Sequence, residues 1–227
     1  YLHKAEYLSN QYLTKNHPYR AIVYNMLGDY YASREMDSLQ IHYFKEAQRI
    51  YQISYGENSI KEADILVKLG VMHARQQQND QAMDCLMRSK EIYESTLGVK
   101  NSKMAELYIK LGDIYLQKKA LDQALMSYYQ AANAIALNEV QNGDALPEIN
   151  VLINKPLTLE TSKSIANVYY LQFMASKDQQ SLTKSMQLYR YAIELVDEII
   201  SGYYLDVSKS RLQKESRAIY EQALRVS

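Results

Sequence analysis

Apolar residues recur at helical spacing along most of the chain, and short polar runs interrupt them. Between residues 59 and 75 the apolar positions stand mostly three or four residues apart, the period of an α-helix that buries one face. They are Ile60, Ala63, Ile65, Leu66, Leu69 and Met72. The polar run Gln76–Gln78 follows, and a second apolar pattern extends to about Thr96. The pattern predicts a helix, a turn and a second helix.

Local signals predict where these helices begin and end. Ser59 and Glu62 form a capping-box pair, in which each side chain accepts the backbone N–H of the other residue. Asn79-Asp80 is predicted to cap the second helix, and Asp37 with Gln40 gives the matching start one repeat earlier. Gly56 and Gly98 follow the second helices, where a residue without Cβ most easily adopts a left-handed C-cap.

The helical pairs repeat at a constant interval, the repeat period. Gly28, Gly70 and Gly112 are separated by this interval, and each follows a leucine. Gly56 and Gly98 are separated by it too, so five of the seven glycines obey one period. A fixed period of about 42 residues falls in the range that indicates a solenoid or another repeat array.

The repeated residues resemble the tetratricopeptide repeat. The third copy carries the pattern most fully, with Tyr108, Leu111-Gly112, Tyr115, Ala124, Tyr128 and Ala131. In that family the small residue lets two helices approach closely while a bulky partner fills the notch. The resemblance implies an all-α, right-handed superhelical solenoid of about four helix-turn-helix repeats. A partial N-terminal repeat and a C-terminal capping helix complete it.

We expect a single domain over residues 1–227. Its predicted parts are a partial repeat (1–14), repeat 1 (15–56), repeat 2 (57–98), repeat 3 (99–137), an insertion (138–158), a degenerate repeat 4 (159–200) and the capping helix (203–227). The fourth copy breaks the period, because Ala192 lies farther from Ala131 than one repeat period. We assign the excess to the Pro-bearing insertion and to a lengthened turn near Ser176–Gln180.

Two narrower resemblances are to particular groups of repeat proteins. The 42-residue period, with Asn16-His17-Pro18 opening a helix, is similar to kinesin light chains. The C-terminal half looks like the repeat region of bacterial CHAT proteins, in which tetratricopeptide repeats precede a caspase-like cysteine protease. The stretches that carry this second likeness are Met174–Asp178, Asp197–Ile199, Ser208-Lys209 and Ile219–Ala223.

Charge and composition exclude several classes of function. Lys plus Arg is 26 and Asp plus Glu is 26, so nothing favours general binding to a nucleic-acid backbone. No window approaches 18 consecutive apolar residues, and we expect no membrane span. The chain opens at Tyr1 without an initiator Met, so we expect a fragment of a longer protein. We expect a cytoplasmic location for it.

The residues that often carry chemistry show no catalytic or metal-binding pattern. The four histidines have no HxxxH or HExxH spacing, and His73 occupies an aromatic packing position of its repeat. Cys85 is expected to be a buried, inert thiol. Seven of the 22 tyrosines fall on repeat core positions, namely Tyr24, Tyr31, Tyr108, Tyr115, Tyr128, Tyr169 and Tyr189. We therefore expect no enzyme activity in this chain and no cofactor or metal.

The tetratricopeptide resemblance implies a concave groove lined by first helices. Its positions here are Asn25, Asp29, Val67, Val71, Ile109, Asp113, Lys163, Asn167 and Tyr170. Lys163 and Asn167 match part of the clamp with which some family members hold a C-terminal carboxylate. We expect a non-catalytic module that binds a peptide or protein partner and regulates a CHAT protease domain in the same chain. The alternative is a structural scaffold or self-association subunit of a larger assembly.

Overall fold

The computed structural model describes residues 1–136 and 154–201, together with Arg217, Ile219, Glu221 and Gln222. It groups the chain into two compact units, Tyr1–Gly98 and Val99–Ser227, where the sequence predicts one domain. The boundary coincides with the predicted end of repeat 2. Repeat arrays can divide in this way because each repeat contacts mainly its neighbours.

The described residues of both units are organised as α-helices, with no strand among them. Unit 1 contains α1 (Leu2–Tyr12), α2 (Pro18–Ala32), α3 (Asp37–Tyr55), α4 (Ile60–Arg75) and α5 (Asn79–Leu97). Unit 2 contains α6 (Ser102–Gln117), α7 (Leu121–Ile135), α8 (Lys155–Ser176) and α9 (Gln179–Ser201). The pairs α2–α3, α4–α5, α6–α7 and α8–α9 pack as helical hairpins. The predicted all-α class is confirmed.

Each of the first three hairpins is closed by a bulky side chain lying against a glycine. A Cβ added to Gly112 would stand 2.5 Å from Tyr128 Cε1 on α7. At Gly70 it would stand 2.9 Å from Leu86 Cγ, and at Gly28 it would meet the ring of Phe44. Real Cβ atoms do not approach other atoms so closely, so only glycine permits these crossings without a shift. The predicted interlock is present in all three hairpins.

The turns inside these hairpins have a repeated geometry that the sequence analysis missed. Glu35, Gln77 and Lys119 stand one repeat period apart, and each has φ between 57° and 60°. After each of them, the next backbone N–H donates to a carbonyl five residues earlier, as in Ala120 N to Tyr115 O at 2.9 Å. This is the Schellman pattern, usually built around glycine. Glu, Gln and Lys give no local sign of it.

The predicted helix caps are confirmed in part. Ser59 Oγ accepts the Glu62 N–H at 3.3 Å, but the Glu62 carboxylate accepts from Asn58 N rather than from Ser59. Met36 and Gln78 are the N-caps of α3 and α5, and neither contributes a side-chain bond, so the predicted caps at Asp37 and Asn79-Asp80 are wrong. Asp37 instead binds Arg75 and Gln76, near the end of α4, across the repeat boundary.

Glu62 is fully buried and joins three helices of unit 1. Its carboxylate accepts from Gln52 Nε2 of α3 at 2.7 Å and from Arg88 Nη2 of α5 at 2.8 Å. A buried charge is tolerated where a counter-ion and hydrogen bonds satisfy it. Glu62, in the first turn of α4, therefore fixes α4 between its neighbours.

The fourth hairpin corrects two of the predicted boundaries. Residues 137–153 of the predicted insertion lie outside the described residues, but α8 begins at Lys155, ahead of the predicted boundary at 158. Pro156 stands in its first turn, where the missing N–H breaks no helical bond. The predicted long turn near Ser176–Gln180 is wrong, because only Lys177 and Asp178 separate α8 from α9.

The structure describes more of the predicted partial repeat than of the predicted capping helix. α1 lies within the predicted partial repeat 1–14. Of the predicted capping helix 203–227, Arg217, Ile219, Glu221 and Gln222 are described, all four helical, and Ile219 is fully buried. The remainder of that prediction lies outside the described residues.

Candidate peptide-binding surface

In unit 1 the predicted polar groove residues are bound to a lysine of the next repeat. Lys68 Nζ on α4 lies 2.7 Å from Asn25 Oδ1 and 2.7 Å from each carboxylate oxygen of Asp29, both on α2. The same ammonium lies 5.5 Å from the centre of the Phe44 ring. Asn25 and Asp29 are thus brought together, but their acceptors are already occupied.

Lys68 was missed by the sequence analysis, although the repeat period contains a signal for it. Lys68 and Lys110 stand one repeat period apart on corresponding first helices. Each binds a carboxylate on the first helix of another repeat of its own unit, Asp29 for Lys68 and Glu160 for Lys110. A comparison of all positions related by the repeat period would have found this pair.

The predicted apolar groove residues differ in accessibility. Val71 is exposed and Val67 half-buried on α4, so both present apolar surface to solvent. Ile109 on α6 is only 1% exposed. The prediction that Ile109 lines a binding groove is therefore wrong, because a side chain packed into the core offers no surface to a ligand.

Asp113 on α6 is half-buried and is used inside its own hairpin. The Tyr128 hydroxyl donates to Asp113 Oδ1 at 2.8 Å, and Lys110 Nζ lies 3.7 Å from Asp113 Oδ2. Burial, reinforced by the Asp113 charge, raises the pKa of Tyr128. The tyrosine therefore stays protonated as a donor, and Asp113 helps to hold the ring against Gly112.

The three predicted residues on α8 form a row with unused polar groups. Lys163, Asn167 and Tyr170 follow one another by four and three residues, so they lie on one face of the helix. All three are half-buried. Within 1–136 and 154–201 no hydrogen bond or ion pair engages their side chains, in contrast to Asn25, Asp29 and Asp113. An ammonium, an amide and a hydroxyl together suit a carboxylate or a peptide group.

The surroundings of the core tyrosines, His73 and Cys85 indicate packing roles for these side chains. Of the seven tyrosines expected in the core, five are buried, while Tyr108 and Tyr115 are half-buried. His73 is half-buried, with Nδ1 2.6 Å from Gln78 Oε1. Cys85 is half-buried, and desolvation raises the pKa of its thiol. No cluster of three or more potential metal ligands occurs among the described residues.

Comparison with known proteins agrees with this architecture. Residues 61–135 match the family model described as tetratricopeptide repeat. The matched residues run from α4 to α7. No curated protein matches the chain. The crystal structure of BtubC (BKLC) from P. vanneervenii is similar, with a TM-score of 0.66 and 18% sequence identity. That match covers 90% of this chain and 76% of BtubC, and at this identity it shows a shared fold.

Within the described residues, no helix is long and apolar enough to cross a bilayer. The glycine interlocks, the repeated turns and the family match all describe one kind of helical hairpin. The described residues are therefore all-α, and residues 61–135, which form the hairpins α4–α5 and α6–α7, match the tetratricopeptide repeat.

Proposed function

We propose that this chain is a non-catalytic protein-interaction module that binds a peptide or protein partner through its first helices. Tetratricopeptide repeats generally mediate protein–protein interaction, and their fold is typically non-catalytic. The proposal goes further by assigning the principal contact to α8.

The unused row Lys163, Asn167 and Tyr170 supports this assignment. The lysine supplies a positive charge, and neither Lys163 nor Asn167 gives up an internal bond when a ligand arrives. In unit 1 a ligand carboxylate meets a lysine that already holds Asn25 and Asp29. An acidic peptide segment, or a peptide carboxyl terminus, is the partner chemistry that fits the α8 row.

A labelled peptide of alternating Asp and Leu with a free carboxyl terminus tests this surface. We expect saturable binding that Lys163→Ala weakens at least tenfold, because the Coulombic partner is removed. Asn167→Ala should weaken binding several-fold. Lys118→Ala, which removes an exposed lysine from the end of α6, should leave the affinity unchanged. Thermal melts followed by circular dichroism verify that each variant remains folded.

Two results contradict the proposed surface. One is equal affinity for Lys163→Ala and the unchanged chain. The other is concentration-dependent assembly of the chain, measured by sedimentation, that Lys163→Ala abolishes. The second result favours the alternative, a scaffold or self-association subunit.

We further propose that the module regulates a CHAT caspase-like protease domain in the same bacterial protein. The resemblance of the C-terminal half to CHAT proteins supports this context, in which binding on the repeats controls the protease. Determining the reading frame beyond Ser227 tests it. A caspase-like His and Cys pair supports the context, whereas a kinase or DNA-binding domain contradicts it.

A further inference from the structure

We propose that Glu160 restricts the α8 row to a single ligand carboxylate, because it occupies Lys110, the second cation beside that row. This inference rests on the function proposed above and names a specificity-determining residue for it. One ligand carboxylate meets the ammonium of Lys163. A second carboxylate on the same ligand meets the negative charge of Glu160 instead of another available ammonium.

Lys110 belongs to α6, but its ammonium reaches α8. Lys110 Nζ lies 3.4 Å from Glu160 Oε1 and 3.7 Å from Asp113 Oδ2. Glu160 and Lys163 stand three residues apart on α8, a spacing that places two side chains on one face of a helix. Glu160 therefore lies next to both lysines, and a short peptide on this face can approach all three charges.

Glu160 is paired with one of these two lysines only. Within residues 154–201 no ion pair joins Glu160 to Lys163, whereas the bridge to Lys110 crosses from α8 to α6. The charge of Lys110 is thus already balanced. A ligand carboxylate that displaced Glu160 would compete with a group held on the same chain, and it would leave that group unpaired beside itself. Lys163 is therefore the cation that a ligand can use.

The bridge of Lys110 is looser than its counterpart in unit 1. Lys68 Nζ lies 2.7 Å from both carboxylate oxygens of Asp29, within the range of strong charge-assisted hydrogen bonds. The contacts of Lys110 with Glu160 and Asp113 are longer, and the Lys110 side chain is 35% exposed. Removing the charge of Glu160 should therefore make Lys110 available to a ligand.

Two peptides that differ by one carboxylate test this restriction. Both are acetylated and amidated, with the sequences Leu-Asn-Leu-Asp-Leu and Leu-Asp-Leu-Asp-Leu, because alternate residues of an extended peptide point to the same side. We expect the unchanged chain to bind both peptides with affinities that agree within about twofold, since it uses one carboxylate at a time. Glu160→Gln should prefer the peptide with two carboxylates by about threefold or more, the effect of one exposed ion pair.

Two further variants show whether this preference arises from Lys110. Lys110→Ala, added to Glu160→Gln, should abolish the preference, because the second cation is then absent. Glu194→Gln is the matched control, since it removes the same charge from an exposed position on α9 and should keep the affinity ratio of the unchanged chain. A merely structural role of Glu160 would change both affinities together and leave their ratio unaltered.

Three results overturn this inference while the proposed function stands. The first is the same affinity ratio in Glu160→Gln as in the unchanged chain. The second is a preference in Glu160→Gln that survives Lys110→Ala, and the third is an equal preference in Glu194→Gln. If Lys163→Ala binds both peptides as tightly as the unchanged chain, or no variant shows saturable binding, the proposed function itself is contradicted, and the inference with it.

Discussion

The hairpins α6–α7 and α8–α9 follow one repeat scheme but differ in length and in their packing residues. α6 continues five residues beyond Gly112, whereas α8 continues ten beyond Ala166 at the equivalent position. α7 begins three residues before Ala124, and α9 begins six before Ser185. In the fourth hairpin both helices therefore extend farther toward the turn than in α6–α7, and the turn itself is shorter.

The extension has a structural consequence within unit 2. A cleft of about 650 Å³ lies between the α6–α7 turn and the added length of α8 and α9. Gln172 Nε2 on the extended part donates to Asp122 Oδ1 of α7 at 3.1 Å. Close packing at the small residue is thus compatible with different hairpin lengths, because the crossing point lies away from the turn.

The two hairpins also differ at the crossing itself. In α6–α7 a glycine receives the Tyr128 ring, whereas Ala166 and Tyr189 stand at these positions in α8–α9 and are both buried. In the fourth hairpin Ser185 Oγ donates to the Ala166 carbonyl at 2.8 Å. The α8–α9 crossing accommodates the methyl group of Ala166, whereas the α6–α7 crossing leaves no room for a methyl group at Gly112.

The largest expected effect is that of Gly112→Leu. The new side chain begins within 3 Å of three atoms of the Tyr128 ring, and overpacking of this kind costs about 1–3 kcal/mol. Chemical denaturation should show this loss, while Gln117→Ala, an exposed position at the end of α6, should leave the free energy of unfolding unchanged within error. Equal stability of the two variants would rule out the interlock at this crossing.

Ala166→Gly should have a smaller effect. It adds backbone freedom within α8 and removes a buried methyl group, which together cost about 1–2 kcal/mol. The reciprocal change Gly112→Ala should also destabilise the chain, because the clash with Tyr128 outweighs the better helix propensity. If Gly112→Ala stabilised the chain in denaturation experiments, the two crossings would be equivalent.

Glycine at the left-handed turn residues should stabilise both hairpins. Lys119 and Lys177 have φ of 59° and 60°, a region that costs residues with Cβ about 1–2 kcal/mol. Part of this gain is offset by the greater freedom of glycine in the unfolded chain, so we expect about 0.5–1 kcal/mol for Lys119→Gly and for Lys177→Gly. The matched control Lys118→Gly, at φ −75°, should lose stability instead.

The smallest expected effect is a pH dependence that belongs to the fourth hairpin. Asp178 accepts from Ser181 Oγ at 2.7 Å and from two backbone N–H groups, and the Ser181 hydroxyl bond is the main cause of its lowered pKa. A lowered pKa in the folded state stabilises the chain above the ordinary aspartate range and is lost as the pH falls through the folded value. α7 has Ala120 as its N-cap and lacks this contribution.

Asp178→Asn tests this dependence by urea denaturation at several pH values. Its stability deficit should be greatest near neutral pH and should vanish in acid, where Asp178 of the unchanged chain is protonated. A deficit that is constant across this range would contradict the assignment.

The sequence predicts which positions lie on the candidate surface. It does not predict which of their side chains remain free to bind a ligand. The repeat period identifies Asn25 and Asp113 as residues of first helices. Their partners lie elsewhere in the chain, Lys68 43 residues after Asn25 and Tyr128 15 residues after Asp113. The repeat period also placed Ile109 wrongly in the groove, because the burial of this side chain depends on which residues pack around α6.

The sequence alone determined the helices, the period and the glycine crossings, because these depend on local propensity and on side-chain size within one hairpin. Only the tertiary structure decided which polar groups stay unbound on α8, where the left-handed turn residues lie, and that the extra length of the fourth repeat is helical. The free groups on α8 depend on contacts between residues far apart in the chain. The left-handed turns close by local hydrogen bonds, but Glu35, Gln77 and Lys119 give no sign of them in the sequence. The same residue type is satisfied or unsatisfied according to the side chain that the fold places against it.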